Sequence, residues 1–127
     1  MPLYEQLVFR WCIENYVPLR QLRRDEVHWI FYEQACIDPE GEIRALFEFI
    51  GQPWDDRVLR VADRPSSMTA PESSIRAGRG LIDGWQSKVD AARLERTLEI
   101  LHLFGLDALY GPEPEPLDPA LGGWMRD

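Results

Sequence analysis

The chain has 127 residues, 28% charged and 45% hydrophobic, with 22 acidic against 14 basic side chains and a net charge of −8. One domain is expected at this length, with enough chain to bury roughly two-thirds of its unfolded surface. The acidic excess argues against a general nucleic-acid or anionic-membrane surface, because either would need a basic footprint. No apolar run approaches the roughly 20 residues that span a bilayer, and the N-terminus lacks a basic-then-apolar signal pattern, so a cytoplasmic protein is expected. Cys12 and Cys36 have no metal-site spacing and are expected to be buried free thiols.

In chain order, Leu3 to Leu22 predicts a helix with Tyr4, Val8, Trp11, Cys12, Leu19 and Leu22 along its packing face. Pro18 removes one backbone hydrogen bond and crowds the preceding turn, so a kink or two abutting helices is expected near Val17. Arg20, Arg23 and Arg24 cluster near the helix end, where cations suit the macrodipole. Val27 to Tyr32 is a short β-branched and aromatic run broken only by His28, and it predicts a strand covered on both faces. His28 sits early in that strand, away from the end where ligands of open α/β sheets bind, and is read as a core or surface histidine.

Asp38 and Pro39 then predict a helix start, as N-cap and first helical residue, with Glu40 and Glu42 in the first turn. Ile43, Leu46, Phe47 and Ile50 follow at the spacing of one buried face, and Gly51 supplies the stop. A short helix over Trp54 to Asp63 can pack Trp54, Val58, Leu59 and Ala62 inward. Arg64 to Gly80, with prolines, serines and glycines and little periodicity, reads as a long loop carrying three arginines against one glutamate. Guanidinium forks, hydroxyls and glycine backbone N–H groups are the parts of a phosphate cradle, although a solvated surface loop has the same composition. Leu81 to Val89 carries Trp85 as a packing anchor. Asp90 caps a last helix over Ala91 to Phe104, with Leu94, Leu98, Leu101 and Phe104 on one face and Gly105 as stop. His102 lies in this helix without a recognisable catalytic constellation. Residues 111–127 are rich in Pro, Gly and acid and are expected to be extended or mobile, with Trp124 as the one candidate anchor.

Two stretches carry a family resemblance. FYEQACIDPEGEIRALFEFIG, from Phe31 to Gly51, resembles the central strand and helix of sulfotransferases, with Gln34 and Ala35 departing from the family's acidic residue and Leu. RAGRGLIDGWQSKV, from Arg76 to Val89, resembles the family's later basic-glycine segment. There Asp83-Gly84 reverses the usual order and Gln86 replaces a Lys. The resemblance covers residues 1–110 as a single or partial domain, with 111–127 as a tail, and is to the C-terminal half of a sulfotransferase. It implies an α/β, P-loop-like fold, although this chain by itself reads as mostly helical with one clear central strand.

The resemblance further implies that Tyr32, Ser66, Ser67, Arg79 and Gly80 bind the sulfonate donor 3′-phosphoadenosine 5′-phosphosulfate, or its product adenosine 3′,5′-bisphosphate. Tyr32 would touch the adenosine, the serines the adenine, and Arg79-Gly80 the 3′-phosphate. An aromatic plug between strand and helix accounts equally for Tyr32. The family's phosphosulfate loop and catalytic base belong to the N-terminal half. No glycine-rich loop followed by Lys and Ser/Thr occurs in this span, so it is expected not to catalyse by itself. A lone strand leaves ladder groups unpaired, so a second copy or the N-terminal half is expected to complete the sheet. The expected function is donor contact for sulfuryl transfer to an unidentified hydroxyl or amine acceptor. The alternative is a non-catalytic helical interaction module that keeps part of this fold.

Overall fold

The computed structural model describes residues 1–61 and 82–127, which fall into two compact units. The first joins Met1–Trp29 to Val89–Asp127 and the second is Ile30–Lys88.

The first unit is built on α1 (Leu3–Gln21) packed against α4 (Ala91–Leu103). Cys12 and Leu19 on α1, with Ile100 and Leu101 on α4, are buried between them. Phe104 extends this layer, meeting the rings of Phe9 and Tyr16 edge-on with centroids 6.0 Å away in each case. The expected packing face of α1 is thus correct at Cys12 and Leu19, whereas Trp11 and Leu22 are 39% and 36% exposed. Pro18 lies in the last turn of one uninterrupted helix, so the expected break near Val17 is not found. Close to a helix end few hydrogen bonds remain to be lost downstream of the proline. Cys12 is a free thiol whose pKa burial pushes up to about 11, and Cys36 is also free but only half-buried.

α4 starts as the sequence predicts. The Asp90 carboxylate accepts a hydrogen bond from the Arg93 N–H at 2.8 Å. It stops at Gly105, whose φ of 72° lies in the left-handed region open to glycine. The chain then makes a 3-10 turn, Leu106–Ala108, burying Leu106 completely.

Residues 111–127 overturn the expectation of an extended or mobile tail. Pro116, Leu121, Trp124 and Met125 are buried. Trp124 packs edge-on against Tyr16 at 6.3 Å, and the Arg20 guanidinium lies 4.1 Å from the centroid of its ring. Arg24 donates to the carbonyls of Ala120 and Leu121, at 3.1 and 2.8 Å, and pairs with Asp127. The arginines placed near the end of α1 by the macrodipole therefore also hold the tail.

The second unit contains α2 (Tyr32–Ile37) and α3 (Pro39–Phe49), followed by a 3-10 helix over Asp56–Val61. The Asp38 side chain caps α3 by accepting from the Gly41 N–H at 3.0 Å, with Pro39 at the first helical position. Gly41 has a steric role as well, since a Cβ there would lie 2.1 Å from Asp38 Oδ2. Val58 and Leu59 of the 3-10 helix are half-buried, while Ala62 and Asp63 lie outside the described residues.

The central strand is the main difference from expectation. Residues 27–31 form no ladder, and Tyr32 opens α2 instead of closing a strand. Phe31 keeps extended torsions, φ −82° and ψ 128°. Extended backbone becomes sheet only when a neighbour supplies hydrogen bonds. Among the described residues β pairing is confined to two single-residue bridges, Arg23 with Arg126 and Tyr110 with Pro116.

Candidate functional site

Of the five residues expected to bind donor, the structure places Tyr32; Ser66, Ser67, Arg79 and Gly80 lie outside the described residues. Tyr32 is the first residue of α2 and is 54% exposed. The aromatic-plug reading does not fit that exposure. Four residues on, one helical turn away, lies the Cys36 thiol. Partial burial, then the neighbouring Cys36 thiol and the Glu33 carboxylate, raise the pKa of the Tyr32 phenol. The phenol therefore stays neutral at physiological pH and suits stacking and hydrogen bonding rather than charge pairing.

A second feature of this unit escaped the sequence reading. Phe47 at the end of α3 meets Trp54 edge-on at 5.6 Å, and the Arg44 guanidinium covers the Trp54 ring at 4.0 Å. They adjoin an open depression of about 670 Å³ whose wall continues through Asp55, Asp56 and Arg57. The polar groups of Trp54, Asp55, Asp56 and Arg57 in it are already engaged. Trp54 Nε1 donates to Asp56 Oδ1 at 2.5 Å, and Arg57 holds Asp55 through Nε and Nη2 at 3.0 and 2.6 Å. The signal in the sequence was the i, i+3 pair Arg44 and Phe47, but its aromatic partner lies beyond the helix.

The Arg57 side chain, and then its backbone N–H, hold the Asp55 pKa at about 2 instead of 3.8. A lowered carboxylate pKa stabilises the folded form above the ordinary value, and that contribution is lost as pH falls toward 2. The Asp55 carboxyl carbon resonance should accordingly titrate with a midpoint near 2, and Arg57→Ala should return it toward 3.8. A wild-type midpoint already at the ordinary value would contradict the clasp.

In the first unit, His102 Nδ1 lies 2.6 Å from Asp107 Oδ2. The sequence reading saw no constellation around His102, because Asp107 reaches it only after the chain reverses at Gly105. The pair borders a shallow depression with Leu98, Leu103, Tyr110 and Leu117, and its immediate effect is to tie the end of α4 to the following turn.

Similarity to known proteins is partial. Over 59 residues the chain is 32% identical to Protein-tyrosine sulfotransferase A of Caenorhabditis elegans, covering 40% of this chain and 16% of that protein. Part of this chain is sulfotransferase-like. The matched stretch spans less than a fifth of that relative's length. No family model matches the chain, and no solved structure does. Among the described residues no helix is long and apolar enough to cross a membrane, and no cluster of His, Cys, Asp or Glu is arranged to hold a metal ion.

Proposed function

We propose that this chain supplies donor contacts of a sulfotransferase-like protein, holding the adenosine and 3′-phosphate of 3′-phosphoadenosine 5′-phosphosulfate. The partial identity to a protein-tyrosine sulfotransferase carries this reading. The exposure of Tyr32, one short helix before the Asp38-capped start of α3, fits it. Tyr32 would pack against the adenosine, Ser66 and Ser67 would donate hydroxyls, and Arg79 beside Gly80 would present a guanidinium fork to the 3′-phosphate. The donor brings the activated sulfuryl group. The residues here bind and orient, while stabilisation of the transferred group and removal of the acceptor proton fall to other parts of the fold. An α/β sheet completed around residues 27–31, by the N-terminal half or by a second copy, belongs to the same proposal.

The test is calorimetric titration of the chain with adenosine 3′,5′-bisphosphate. Saturable binding is expected, weakened roughly ten- to a hundredfold by Arg79→Ala, the cost of removing a charge-assisted phosphate contact. A chain that is folded by circular dichroism yet releases no binding heat would overturn the donor-site reading. A protein-interaction module would then be the better account, since Leu3, Leu7, Ile13 and Val17 of α1 are each at least 42% exposed.

A further inference from the structure

The outward side of α1 has a regularity that its packing against α4 does not use. Leu3, Leu7, Arg10, Glu14, Val17 and Gln21 recur at alternating steps of four and three, the spacing of a coiled-coil seam. The whole row faces solvent. Leu3, Leu7 and Val17 are 71%, 55% and 42% exposed, and the side chains of Arg10 and Glu14 are 73% and 57% exposed. Apolar residues at seam positions of a helix already satisfied on its other face need a separate reason.

The order of residues along the row identifies an occupant. Turned antiparallel about a two-fold axis near Cys12, the row meets itself with Leu7 against Val17 of the second copy and Arg10 against Glu14 of the second copy. Both contacts occur twice by symmetry. Leu7 and Val17 form an apolar layer on each side of the axis, each central charge meets its opposite, and Leu3 meets Gln21 at the two outer ends. A parallel pairing would instead stack Arg10 on Arg10 and Glu14 on Glu14, which like-charge repulsion disfavours. Within one chain Arg10 Nε is already 2.7 Å from Glu14 Oε1, so both side chains lie along the seam and can bridge to the second copy. Trp11 and Ile13, 39% and 53% exposed, flank the row on its two sides and widen the apolar margin.

We propose that two copies of this chain associate through α1 as an antiparallel helix pair, in a weak and reversible dimer. This contact is separate from the donor site and from any sheet completed at residues 27–31. With 19 residues, α1 offers about 28 Å of seam at the usual rise per residue, a small interface by the standards of stable dimers.

Charge reversal tests it on the full chain, by sedimentation equilibrium over roughly micromolar to near-millimolar concentration. The wild type is expected to dimerise. R10E and E14R each place like charges across both central layers and should weaken association by roughly tenfold or more. Mixing the two variants should restore it, because every cross-helix pair is then of opposite sign. The intrahelical pair stays broken in both, which separates the interface from any effect on helix stability. Unchanged circular dichroism of the single variants confirms that the monomer is intact. A wild type that remains monomeric throughout, a dimer indifferent to both reversals, or a mixture that stays dissociated would each overturn the proposal.

Discussion

Trp124→Ala should destabilise the first unit by about 3–5 kcal/mol, the usual cost of emptying a large aromatic site. Trp124 is 7% exposed although it lies three residues before Asp127. Its ring meets Tyr16 edge-on and lies under the Arg20 guanidinium, contacts that add fractions of a kcal/mol to about 1 kcal/mol each beyond area burial. The tail also carries Leu121 at φ 55°, a conformation costing about 1–2 kcal/mol for a residue with a Cβ. The hydrogen bond from Arg24 Nη2 to the Leu121 carbonyl at 2.8 Å helps to hold it there. Loss of the ring should therefore loosen the strained turn as well as open a cavity. Urea unfolding followed by circular dichroism measures the change. A loss below about 1 kcal/mol would mean that the tail is an appendage and not part of the core. Trp124→Phe should recover much of the difference by refilling the site.

Leu106→Ala is expected to cost about 2–5 kcal/mol, the range for deleting a buried leucine side chain where the surroundings cannot collapse. Leu106 has no exposed surface, and the turn that buries it is held by hydrogen bonds from the N–H groups of Leu109 and Tyr110 to its carbonyl, at 2.9 and 3.1 Å. Leu103, three residues earlier, is 69% exposed, and Leu103→Ala should change stability by no more than about 0.5 kcal/mol. Comparable losses from the two variants in the same unfolding experiment would contradict the placement of the turn after Gly105. Leu103 lies off the apolar face of Leu94, Leu98, Leu101 and Phe104, whereas Leu106 owes its burial to the turn that follows Gly105.

The candidate site was legible where its determinants are local. The Asp38-Pro39 start of α3 and the Asp90 start of α4 were readable because an N-cap involves a side chain and an N–H three residues apart. Gly51 and Gly105 were readable as stops because each adopts positive φ, at 67° and 72°, which the residue type itself permits. Tyr32 was located beside that capped helix, but as the end of a strand, whereas it begins α2 and exposes its ring. The apolar run before it reports burial preference and extended torsion. Whether such a run becomes a strand is decided by a neighbouring edge, and that edge is not specified within the run.

Legible from residue order alone were the helical character of α1, the caps and stops of α3 and α4, and the free cysteines, since these depend on contacts within a few residues or on residue chemistry. The long-range contacts emerged only in the folded chain. Arg20 and Arg24 bond to the tail across 103 and 96 residues, and His102 finds Asp107 only after the chain turns back. A Pro-, Gly- and acid-rich composition sets a weak intrinsic preference for order. Segment 111–127 packs because Trp124 finds Tyr16 and Arg20 of α1 and is buried together with Leu121 and Met125, while Arg24 holds the carbonyls of Ala120 and Leu121. Burial against a surface assembled by distant parts of the chain outweighs that local preference, and no window of sequence contains both sides of the contact.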